Sequence, residues 1–144
     1  MRIDVKRFLV LATALVAGCS DAGEPRDVDP CLLEQEIYVL TSEPPRFTWE
    51  PTCRMAILYV RPEAGGSISW WIEADTNHIE SGVTYGEAPA EGIIDEVGPT
   101  ALEPGANYIV TLVRRYGSGD NDLVAVGARV FSVGLARPPI EPSP

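Results

Sequence analysis

Histidine occurs once in the 144 residues, as His78, and cysteine three times, as Cys19, Cys31 and Cys53. So small a stock leaves little for a metal site, and no metal or other cofactor is expected. His78 lies in the polar stretch Asp75-Thr76-Asn77-His78-Ile79-Glu80, with no serine or cysteine motif beside it that would make a nucleophile and base. Basic residues are also scarce: Lys+Arg number 11 against 21 Asp+Glu, a formal net charge of −10. That balance opposes nucleic-acid binding, which needs a cationic footprint. Long apolar runs are missing too. The run Phe8–Ala17, broken only by Thr13, falls well short of the ~20 residues that a membrane-spanning helix requires. What remains is a 45% apolar chain, enough for one packed domain with tails.

The amino end has its own logic. Arg2, Lys6 and Arg7 precede the run Phe8–Ala17, and Gly18 and Cys19 follow it. A basic start, a short apolar stretch and small residues describe a secretory signal peptide over residues 1–18. Leu15-Val16-Ala17-Gly18-Cys19 resembles the lipobox of bacterial lipoproteins. The resemblance implies that the Cys19 thiol carries a diacylglyceryl group and becomes the first residue of the mature chain. Ser20 after it is similar to the pattern that sends such proteins to the outer membrane of Gram-negative-type bacteria. A lasting anchor needs two or three acyl chains, at ~0.8 kcal/mol per buried CH₂. Residues 1–18 hold three cations and Asp4, net +2, which leaves −12 on residues 19–144. Lys6 is the only lysine of the chain, so all the cations after residue 18 are arginines. Membrane attachment would then come from lipid and not from a polybasic face.

Residues 19–30 are acidic, with Pro25, Pro30 and a single large apolar side chain, Val28, and read as a solvated tether. Eleven flexible residues span about 18 Å root-mean-square. Residues 137–144 contain four prolines, which cannot pair in a sheet, and Pro139-Ile140-Glu141-Pro142 is read as part of a frayed tail. Between them, residues 31–136 show short apolar runs punctuated by Gly and Pro. That spacing predicts an all-β sandwich or barrel. Strands are expected near 35–40, 46–49, 54–61, 67–74, 82–85, 108–115 and 123–133, with a weaker one near 93–97. A single helical turn is expected near 32–36.

Two segments carry a resemblance. In Arg46-Phe47-Thr48-Trp49-Glu50-Pro51, Phe47 and Trp49 lie two apart and share a strand face. This segment is similar to the second strand of fibronectin type III domains, whose tryptophan is a core residue. Leu102-Glu103-Pro104-Gly105-Ala106-Asn107-Tyr108-Ile109-Val110 resembles the approach to the sixth strand of that family. The resemblance covers about residues 35–133 and implies an immunoglobulin-like, fibronectin type III-like two-sheet sandwich of about seven antiparallel strands. In it Leu102 enters the core, Pro104-Gly105 turns the chain, and the Tyr108 hydroxyl bonds backbone a few residues upstream as a tyrosine corner. Residues 68–99 depart from the family. Ser81–Pro89, after Trp70-Trp71, looks more like small domains of bacterial lipoproteins.

With Cys19 acylated, Cys31 and Cys53 remain in an oxidising compartment and are expected to form a disulfide, the alternative being two buried thiols. If Thr41 pairs with Arg46 in the first hairpin, Cys31 faces position 56, three residues from Cys53, and one bulge or loop at Pro51 closes the gap. The bond would contribute about 3 kcal/mol through loop entropy.

Alternation puts Ile68, Trp70 and Ile72 on one strand face and Trp71 on the other with Ser69 and Glu73. Trp71 is then either covered by a loop or exposed and able to stack on a sugar or a partner, with Tyr85 and Tyr116 as companions. Asp120-Asn121-Asp122 offers oxygen atoms suited to Ca²⁺ but lacks the spaced acids of an EF-hand, and reads as a hairpin loop. The functional expectation is a lipid-anchored envelope protein, a non-catalytic interaction or structural module with a protein or glycan partner. Glycan binding through exposed aromatics is the alternative, and a hydrolase comes third.

Overall fold

The computed structural model describes residues 28–119 and 121–134. The signal peptide, Cys19, most of the tether and the proline tail lie outside the described residues. Eight strands follow a 3₁₀ turn at Pro30–Leu32: β1 Glu36–Leu40, β2 Arg46–Glu50, β3 Ile57–Pro62, β4 Trp70–Ala74, β5 Val83–Thr84, β6 Ile93–Val97, β7 Asn107–Arg115 and β8 Leu123–Ser132. They form two antiparallel sheets, one ordered β1-β2-β5 and the other β6-β4-β3-β7-β8. The molecule is therefore an all-β, immunoglobulin-like sandwich. Among the described residues, no helix is long and apolar enough to cross a membrane.

The helical turn comes earlier than the expected 32–36. Pro30 starts it and the Asp29 carboxylate accepts from the Cys31 amide at 2.9 Å. The weaker strand at 93–97 forms fully. It pairs with β4 through a bulge between Trp71 and Ile72, and so brings the second sheet to five strands.

The first hairpin corrects the expected register by one residue. Leu40, not Thr41, pairs with Arg46, and the ladder runs back through Ile37↔Trp49 to Glu36↔Glu50. Directly opposed residues share a face, so this register sends Ile37 and Val39 inward with Trp49 and Phe47. The expected one would have buried Tyr38 and Leu40, which instead are exposed. Pro45 has no N–H to extend the ladder, so the loop takes five residues. Cys31 and Cys53 are bonded all the same, with Cα atoms 5.6 Å apart across a sequence separation of 22.

The two inner faces meet over Phe47, Trp49, Met55, Leu58, Val60, Trp70, Ile72, Val110 and Leu112, all fully buried. Each indole that enters finds an acceptor: Trp49 Nε1 donates to the Cys53 carbonyl at 2.7 Å, and Trp70 Nε1 to the Asp95 carboxylate at 2.9 Å. Phe131 joins the sheets, edge-on to Phe47 at 5.4 Å and tilted against Tyr108 at 5.9 Å. The start of β1 closes onto β8, where the Gln35 amide donates to the Val126 carbonyl. A Cβ at Gly127 would lie 2.8 Å from the Gln35 carbonyl oxygen, so only glycine permits this approach.

Candidate interaction surface

The structure places the signature residues at the sheet corner. Gly105 takes a φ of 82°, half-buried Leu102 packs against the core, and Pro104 sits in the turn between them. The Glu103 amide donates to the Tyr108 hydroxyl at 2.9 Å, five residues upstream. These residues hold the fold, as does the core residue Trp49.

The three surface aromatics separate. Tyr85 is not a surface residue. Its ring packs edge-on to Trp70 at 5.2 Å, and its hydroxyl donates to the Thr100 carbonyl at 2.7 Å, with the Ser69 carbonyl at 3.1 Å. The short strand β5 ends at Thr84, one residue before it, and alternation from the buried Val83 turns Tyr85 inward. Burial pushes the Tyr85 phenol above its ordinary value of 10.0. The folded chain therefore keeps this proton to higher pH than the unfolded chain does. The resulting stability is full below pH 10 and is lost as pH rises through the folded-state value. Thermal midpoints measured from neutral pH upward should fall above pH 10, and less steeply in Tyr85→Phe. Equal slopes for the two proteins would contradict this.

Tyr116 is exposed in the β7–β8 loop, beyond the end of β7. That loop closes on itself. The Asp122 carboxylate accepts from the Gly119 amide at 2.8 Å, and the Tyr116 amide donates to the Asp122 carbonyl. His78 is exposed, its backbone bonded to Met55. Among the described residues, no group of three or more His, Cys, Asp or Glu could hold a metal ion. A small cavity is lined by Thr41, Ser42, Pro45, Phe131 and Val133.

Trp71 stands in company that the sequence did not announce. On the outer face of the five-stranded sheet, pairing aligns Val97, Trp71, Tyr59, Thr111 and Ala128 across all five strands. The next row aligns Ile94, Glu73, Ile57, Val113 and Ala125. The rings of Tyr59 and Trp71 lie side by side, centroids 5.7 Å apart and inclined by 30°. Trp71 is half-buried, and its indole N–H is shielded without a partner. Ile57 and Thr111 are buried although they stand outside the core cluster, covered by their neighbours on this face. At one margin Glu73 and Arg115 approach to 4.0 Å. The outer face of the other sheet is different: it presents Glu36, Tyr38, Leu40, Arg46, Thr48 and Glu50.

Comparison with protein-family models, curated proteins and solved structures gives no match.

Sequence reasoning missed Tyr59, Ile94 and Val130, because only the register brings them onto the same sheet face as Trp71. A signal was nonetheless present. An antiparallel strand with one solvated face alternates apolar and polar residues, whereas one covered on both faces is continuously apolar. Ile57-Leu58-Tyr59-Val60 and Tyr108–Val113 do not alternate. Both central strands have the composition of strands with something on each side.

Proposed function

We propose that this chain is a lipid-anchored cell-envelope protein, held at an outer membrane through Cys19, and that it is a non-catalytic interaction module. Its contact surface is the outer face of the five-stranded sheet. The observation that carries this reading is the row from Val97 to Ala128, apolar or aromatic except for the buried Thr111, with the Tyr59–Trp71 pair near its centre. An apolar patch of that extent, bounded by charge, is the usual mark of a binding surface. Support for the anchor comes from the basic start, the ten-residue apolar run and the likeness of Leu15–Cys19 to a lipobox. Confinement to a membrane raises the effective concentration of the module, so a modest contact suffices.

Matched probes on the two sheets test the surface. A photo-crosslinking amino acid at Val130, 46% exposed on the proposed face, should yield adducts in producing cells. The same residue at Tyr38, 44% exposed on the opposite sheet, should not. Adducts from both sites, or from neither, would overturn the surface. Cys19→Ser should appear as a soluble, uncleaved or mis-sorted form. Fractionation and processing like those of the natural chain would overturn the anchor alone.

A further inference from the structure

We infer that a second copy of this chain covers the outer face of the five-stranded sheet, packed face to face about a two-fold axis that runs along β3. This rests on the assignment of that face as the contact surface and adds the identity of what binds it.

The distribution of side-chain size is the first reason. In the two central rows the β6–β4 side of β3 carries Ile94, Val97, Trp71 and Glu73, and the β7–β8 side carries Ala125, Ala128, Thr111 and Val113, with Ile109 and Val130 in the row beyond. Rotation about β3 lays Trp71 of one copy over Thr111 of the other, Val97 over Ala128 and Ile94 over Ala125. In those three pairs a large group meets a small one, Glu73 meets Val113, and Tyr59 and Ile57 on the axis meet their own copies, the pattern of a self-complementary two-fold interface. Sheets packed face to face sit about 10 Å apart.

Area is the second reason. Five strands about 4.8 Å apart, with central strands rising about 3.4 Å per residue, give a flat area on the order of 600 Å². Side-chain relief enlarges it toward the ~800 Å² per partner of a standard stable interface. Charge is the third. The chain after residue 18 carries −12, yet this face holds few charges: Glu73, set against Arg115 at 4.0 Å, Arg61 at the end of β3, and the exposed Glu96 at the bulge of the edge strand β6. Two copies therefore meet through the part of an acidic body that repels least, and Arg61 faces its counterpart only at the solvated rim.

The direction of the axis agrees with the anchor. Val28 leads into the Pro30–Leu32 turn, and the adjacent Asp29 lies 3.5 Å from Arg114 near the end of β7. A two-fold along the strands brings both amino ends out on the same side, so one membrane can hold both copies. A two-fold across the strands would send them to opposite ends. A glycan fits less well, since it needs accessible hydrogen-bonding groups around the rings, and both Thr111 and the Trp71 indole N–H are buried.

The test places a photo-crosslinker at Ala128 in the full chain, in producing cells. The expected product has twice the mass of the chain, and its cross-linked peptide maps to β4 or β6. Ala125→Glu, an exposed change on the same face, should lower its yield about ten-fold or more, equivalent to ~1.4 kcal/mol of association. A doubled product mapping to β1 or β2, or one insensitive to Ala125→Glu, would overturn the arrangement. Adducts from Ala128 to other molecules alone would overturn the second copy and leave the contact surface standing. No adduct from Ala128 or Val130 would overturn both.

Discussion

Trp49→Ala is expected to lower the thermal midpoint by about 15 °C or more and to leave part of the population unfolded at 37 °C. Truncating a buried aromatic to alanine typically costs about 3–5 kcal/mol, through lost transfer energy and the cavity left behind. Trp49 has no exposed surface, and it fills the space between β1 and the interior of the sandwich opposite Ile37. It also holds the Cys53 carbonyl through a 2.7 Å hydrogen bond, and losing that donor leaves a buried acceptor unpaired. Domains of this size hold only about 5–15 kcal/mol in total. One kcal/mol moves the midpoint of a domain near 100 residues by about 4 °C or more. Trp49→Phe, which keeps one ring but loses the donor and part of the buried volume, should fall between the natural chain and Trp49→Ala. Thermal unfolding followed by circular dichroism measures both. A shift under about 5 °C for Trp49→Ala would mean that the core does not depend on this side chain.

Removing the disulfide is the second large change. Cys31→Ala with Cys53→Ala should cost about 3 kcal/mol, because the bond closes a long loop in the unfolded chain. The sequence separation of 22 includes β1, the five-residue turn and β2, so the bond restrains the whole first hairpin. The expected urea profile has an earlier midpoint. Its slope is steeper as well, since an unfolded chain without the cross-link exposes more surface. Reductant should bring the natural chain to the midpoint of the double variant and leave the variant unchanged. Identical midpoints with and without reductant in the natural chain would show that the bond contributes nothing.

Several elements were legible in the residues because the relevant forces are local. Period-2 burial placed Phe47 and Trp49 on one face of a strand, and Pro and Gly marked where strands stop. Pro104-Gly105 before Tyr108 marked the corner at which a φ of 82° and the Glu103–Tyr108 hydrogen bond now sit. Three other features were not legible. Tyr85 reads as a free surface tyrosine until the carbonyls of Thr100 and Ser69 come within reach of its hydroxyl. The first hairpin reads equally well in two registers until Ile37 and Val39, and not Tyr38 and Leu40, are turned into the core. Trp71 is a lone aromatic until Tyr59 lies beside it.

By itself the sequence determined an all-β chain with buried tryptophans and two cysteines suited to a bond, since strand periodicity, turn chemistry and side-chain hydrophobicity act over a few residues. Only the tertiary structure decided which strands are neighbours, which register each pair adopts, and that apolar side chains from five strands form one continuous outer face. Those outcomes depend on contacts between residues far apart in the chain. A one-residue slip in pairing reverses the face of every side chain on a strand, and no local preference is strong enough to prevent it.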